Sequence, residues 1–126
     1  MLRKLIFAGC FALLASPSFA ANKAFINEYN SMAATDSGGV PAQIASEPAV
    51  VQQTPTDFTA GATSSPAFGN QTKFIRLLCD TRCAFKVRPG CTGGTAATTS
   101  SAPLAVDAPE YFGVKPGDCI SVIASP

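Results

Sequence analysis

Hydrophobic and polar positions change their rhythm three times along the chain, and each change predicts a different kind of element. From residue 72 onward, short apolar runs alternate with turn residues. Residues 72–79 (TKFIRLLC) predict a buried or half-buried strand and Asp80-Thr81-Arg82 a turn. Residues 83–87 (CAFKV) predict a returning strand with Cys83, Phe85 and Val87 on one face and Ala84 and Lys86 on the other. This pair reads as a β-hairpin. Strong punctuation follows at Arg88-Pro89-Gly90 and Thr92-Gly93-Gly94, then a β-branched stretch with an apolar patch at 95–106, broken at Pro103. Residues 110–114 (EYFGV) and 119–124 (CISVIA) predict two more strands across the turn Lys115-Pro116-Gly117-Asp118. Four or five short strands at this spacing predict an all-β fold, a small antiparallel β-sandwich or barrel.

Upstream of residue 72 the rhythm is different. Phe25, Tyr29 and Met32 fall at helical spacing within residues 21–34, a segment short enough to be either a docked helix or an extended arm. Residues 35–71 carry Asp36-Ser37-Gly38-Gly39 and then Pro41, Pro48, Pro55 and Pro66, which rule out a continuous helix. Their short apolar pieces, 40–44 and 49–51, read as edge strands or as an arm lying on a neighbour. The expected partition is a leader over 1–20, an extended Pro-rich arm over 21–71 and a compact β core over 72–126.

The leader has the form of a secretory signal peptide. Arg3 and Lys4 are followed by the uncharged apolar stretch 5–15, by Pro17, and by the small-x-small site Ser18-Phe19-Ala20, which places cleavage between Ala20 and Ala21. The run is too short to remain as a membrane-spanning helix, so no stable membrane association is expected. A lipoprotein reading on Cys10 is the weaker one, because only five residues separate it from the charges. Without Arg3 and Lys4 the chain carries 7 basic against 8 acidic residues, a net charge of −1. That balance implies no attraction to nucleic acid or to anionic membranes.

Composition narrows the chemistry further. Histidine and tryptophan are both absent. The usual general base, the commonest metal ligand and the favourite stacking platform are therefore missing, and no enzyme, cofactor or metal centre is expected. After cleavage the cysteines are Cys79, Cys83, Cys91 and Cys119. In an oxidising compartment they predict two disulfides out of three pairings, with Cys79–Cys83 across the tight hairpin and Cys91–Cys119 closing a longer loop as the favoured pair. In a reducing cytoplasm they read as small buried apolar residues. A four-cysteine zinc site is disfavoured by the x3, x7, x27 spacing, which lacks paired C-x2-C knuckles. Arg76, Arg82, Lys86 and Arg88 gather on the expected hairpin, where they are either the solvated face of a sheet or a contact site for an anion or glycan. Thr92-Gly93-Gly94-Thr95 lacks the Lys-Ser/Thr ending of a phosphate loop and reads as a turn. Asp107 and Glu110 read as loop residues.

Taken in order, AFINEY near the mature start, EPAVVQQT (47–54), TKFIRLLCDTRCAFKV (72–87), TAATTSSAPLAV (95–106) and PEYFGVKPGDCISVIA (109–124) resemble a group of small structural proteins of tailed-phage virions. The most specific part is the close: an ATTSS-type strand with Leu-Ala, then PEYFGV, a Pro-Gly turn and a final VI-rich strand. The resemblance implies a non-enzymatic particle component, a capsid decoration or another minor virion protein, whose partners are coat subunits or further copies of itself. The leader and cysteines imply an alternative, a periplasmic or secreted disulfide-stapled β module that binds a cell-surface glycan or protein. Oxidised cysteine pairs favour the second reading and free thiols the first.

Overall fold

The period-2 alternation of β-branched and aromatic residues organises the chain into strands, as the computed structural model shows for the residues it describes, 21–34 and 41–126. The leader and its Ala20–Ala21 cleavage site therefore lie outside the described residues or at their margin. In chain order the strands are β1 (Lys23–Tyr29), β2 (Met32–Ala34), β3 (Pro41–Ala45), β4 (Val51–Gln52), β5 (Thr56–Asp57), β6 (Thr63–Ser64), β7 (Phe74–Cys79), β8 (Cys83–Arg88), β9 (Ala102–Leu104), β10 (Glu110–Gly113) and β11 (Cys119–Ala124). A 3-10 turn at Pro89–Cys91 is the one helical element among the described residues.

Three antiparallel sheets result. The largest runs β10-β7-β1-β4, with β5 also pairing β1; the second runs β6-β11-β8-β9; β2 and β3 form a separate hairpin. The first two pack face to face as a sandwich. Between them lie Ala24 and Ile26 from β1, Ile75, Leu77 and Cys79 from β7, Cys83 and Phe85 from β8, Leu104 from β9, and Ile120 and Val122 from β11. Alternation explains the choice. Along β7 buried and half-buried positions strictly alternate, so one face is apolar and closes on the partner sheet. Along β11, Cys119 to Val122 are all buried because the outer face of this sheet is also covered: the amide of Ala97 donates to Ser121 Oγ at 3.0 Å as residues 92–101 cross over it.

Two expectations are corrected. Residues 72–79 and 83–87 are strands but not a hairpin, because β7 belongs to one sheet and β8 to the other. The turn at Asp80-Thr81-Arg82 carries the chain across the sandwich, and the Cys79–Cys83 disulfide ties the two sheets at that crossing. Nor is 21–71 an arm apart from the core. β1 is an interior strand held between β7 and the short β4 and β5, in register from Ala24↔Cys79 to Tyr29↔Phe74. Phe58 and Phe68, from the Pro-rich segment, are 0% and 3% exposed inside the same core. Burying two aromatic rings stabilises more than an arm left in solvent, which outweighs the prolines' cost to regular pairing.

Glu28 is the exception to the apolar inward face of β1. It is 1% exposed, yet its carboxylate accepts from the Gly69 amide at 2.8 Å, from Gln53 Nε2 at 2.7 Å and from the Thr72 hydroxyl. A buried carboxylate with that many donors is satisfied, and it fixes the loop at 69–72 onto the end of β1.

Candidate interaction face

Positions that point away from the core on β1, β7 and β10 build the outer face of the larger sheet. The register places Tyr29 beside Phe74, and Arg76 between Asn27 and Tyr111. Tyr29 and Phe74 stack with ring centroids 5.3 Å apart, and Tyr111 tilts against both at 6.4 and 6.5 Å. The Tyr29 hydroxyl donates to Glu47 Oε1 at 2.7 Å, and Arg76 Nη1 lies 3.7 Å from the same oxygen. With its amide turned to satisfy both neighbours, Asn27 accepts from Arg76 Nη2 at 2.6 Å. Burial, then the bond to Glu47, push the Tyr29 phenol above its ordinary range. The network is closed on itself and positions Tyr29 and Arg76.

Beside it lies an apolar groove of about 580 Å³, between the β2–β3 hairpin and the β10 edge. Met32 and Ile44 form one wall, Phe74 the floor, and Tyr111 and Gly113 the other wall. Met32, Ile44 and Tyr111 are 53%, 62% and 49% exposed. Large apolar side chains held open to water next to one another mark a contact surface more often than an accident of folding. β10 adds a second feature, since among the described residues it ends its sheet and has a strand on one side only.

The basic residues expected to act together are separated. Arg76 lies on the outer face of the larger sheet. Lys86 and Arg88 lie on the outer face of the other sheet, where Lys86 Nζ donates to Thr95 Oγ1 at 3.1 Å and Arg88 Nη1 to Ser64 Oγ at 3.0 Å. Arg82 is exposed in the crossing turn. They form no single anion or glycan site, because the inter-sheet crossing puts β7 and β8 on opposite sides of the molecule.

The cysteines divide in the same way. Cys79 and Cys83 are bonded, and Cys91 and Cys119 are free thiols, so the expected second bridge is not made. The left-handed backbone of Cys91, with φ +59°, directs its Sγ to the Gly117 carbonyl at 3.6 Å. Burial, with the Cys91 contact and charge adding to it, pushes Cys119 up to about 12. It is an inert thiol at neutral pH.

Among the described residues no group of three or more Cys, Asp or Glu converges as metal ligands do, and no helix is long and apolar enough to cross a membrane. Asp107 sits in a turn with φ +55°, its amide bonded to the Cys79 carbonyl at 3.0 Å, and Glu110 opens β10. The groove escaped the sequence reading because its walls come from residues far apart in the chain. Of Phe25, Tyr29 and Met32, whose spacing fits either a docked helix or an extended arm, only Met32 lines the groove, and Tyr29 stacks on its floor, Phe74. Comparison with models of known protein families, with curated protein sequences and with solved structures finds no match.

Proposed function

We propose that this chain is a non-enzymatic structural subunit of phage-virion type, a decoration or minor particle protein that seats the outer face of its larger sheet on coat subunits. The observation that carries this reading is the groove walled by Met32, Ile44 and Tyr111, large apolar side chains exposed side by side. An apolar coat segment fits such a groove, which takes its side chains. The long resemblance to small virion proteins supports the same assignment.

The Cys79–Cys83 bond favours a second reading, an exported module in an oxidising compartment that binds a cell-surface protein or glycan. The two are separated by where the native chain resides. Gradient-purified particles and the periplasm of one induced culture are analysed by non-reducing intact mass. Chain in stoichiometric amount on particles is the expected result. Chain that begins at Ala21 and occurs only in the periplasm overturns the virion reading in favour of export.

A further inference from the structure

We infer that the free β10 edge pairs with the β10 edge of a second copy of this chain, antiparallel about a twofold axis at Phe112. The inference deepens the assembly reading by naming one partner, and its test in purified solution is independent of whether particles carry the chain.

The direction of the backbone groups sets the geometry. Within its sheet β10 pairs β7 from Glu110↔Leu77 to Gly113↔Phe74, and the Val114 amide donates to the Lys73 carbonyl at 3.0 Å in the same register. In an antiparallel ladder, hydrogen-bonded and non-hydrogen-bonded pairs alternate. Residues 110, 112 and 114 therefore turn their N–H and C=O toward β7, and Tyr111 and Gly113 turn theirs outward. Among the described residues nothing meets those outward groups.

A second β10 meets them in one favoured register. Side chains directly opposite must share a face, which admits a twofold at Tyr111, Phe112 or Gly113; at Gly113, Tyr111 would face Lys115, which lies past the end of β10 and whose carbonyl already accepts from the Asp118 amide at 3.1 Å. At Phe112, Tyr111 of each copy faces Gly113 of the other, and both outward N–H groups and both outward C=O groups are satisfied on each chain. At Tyr111, Gly113 faces Pro109, which has no N–H to give. The twofold at Phe112 wins by that missing donor.

Shape and charge agree with this register. A Cβ added at Gly113 would meet nothing within 4 Å, so the half-exposed Tyr111 ring of the second copy has open space over the glycine, in the manner of an aromatic covering an edge glycine. The strand is acidic at its start, with exposed Asp107 and Glu110, and basic at its end, with exposed Lys73 and Lys115. Antiparallel pairing brings each acidic start to a basic end, Glu110 standing opposite Val114 and one residue from Lys115 of the second copy. Parallel stacking would oppose like charges.

The test is sedimentation equilibrium of the purified native chain, combined with amide exchange by NMR at low and high protein concentration. The expected result is a monomer–dimer equilibrium in which the Tyr111 and Gly113 amides gain protection with concentration, while Phe112 is protected throughout by β7. Gly113→Pro deletes an outward N–H and sets its ring against the second copy, weakening the dimer about a hundredfold while far-UV circular dichroism shows the sandwich still folded. Glu110→Lys weakens it, and adding Lys115→Glu restores it. A chain that stays monomeric at millimolar concentration overturns the proposal. So does a dimer that Gly113→Pro leaves intact, or one in which the Tyr111 and Gly113 amides exchange at the same rate at every concentration.

Discussion

Glu28 and Cys119 are the residues whose state depends most on being buried. Glu28 is held by three donors, so Glu28→Ala leaves the Gly69 amide and the Thr72 hydroxyl without their acceptor and Gln53 Nε2 with only the Pro66 carbonyl at 3.5 Å. The expected cost is about 3 kcal/mol in urea unfolding, the range for stranding buried polar groups around a charged partner. A loss within ~0.5 kcal/mol would show that water replaces the carboxylate. Cys119 reports through pH. Its thiol, about 9 when unfolded, is raised to about 12 in the fold. The folded state thus holds its proton more tightly, and that contribution is whole below pH 9 and is lost as pH rises toward 12. The urea midpoint of the native chain is expected to fall faster over that window than that of Cys119→Ala. Parallel curves would contradict the burial of the thiol.

At the scale of elements, Phe85 is the side chain on which the two sheets close. Its ring is 4.6 Å from that of Phe112 and is 7% exposed, whereas Phe112 is only half-buried. Phe85→Ala is expected to lose about 3 to 5 kcal/mol and Phe112→Ala distinctly less, measured by denaturant unfolding. Equal losses would place Phe112 as deep as Phe85. These strands were legible in the sequence because β7, β8, β10 and β11 are short runs rich in apolar residues bounded by turn residues; β11 is found over the residues read for it. Their pairing was not. A three-residue turn such as Asp80-Thr81-Arg82 suits a hairpin and an inter-sheet crossing equally, and nothing local distinguishes them. β1 was hidden for another reason: its inward positions are Ala24, Ile26 and Glu28, a small residue and a carboxylate flanking one isoleucine, so the period-2 signal is weak and the aromatic spacing on the outward side imitates a helix.

For the whole molecule, the Cys79–Cys83 bond joins the sheets through a loop of sequence separation 4. So short a loop removes little unfolded-state freedom, about 2 kcal/mol on the chain-entropy estimate. Reduction is expected to lower stability by that amount and leave the sandwich folded, as read by far-UV circular dichroism; unfolding on reduction would mean that the two sheets do not hold each other by packing. The groove was illegible in the sequence for the same reason that the arm was misread. Met32 and Ile44 gain their meaning only when β1 enters the sheet beside β7 and brings the β2–β3 hairpin up to β10. That face is the centre of the functional reading, and the most direct test is occupancy on particles purified from cells expressing the native chain or Ile44→Asp. The expected result is native chain present on the particles and the variant reduced at least about tenfold, with equal melting midpoints, since a carboxylate in the groove wall cannot be desolvated by an apolar partner. Equal occupancy of the two chains, or no native chain on the particles, would contradict it.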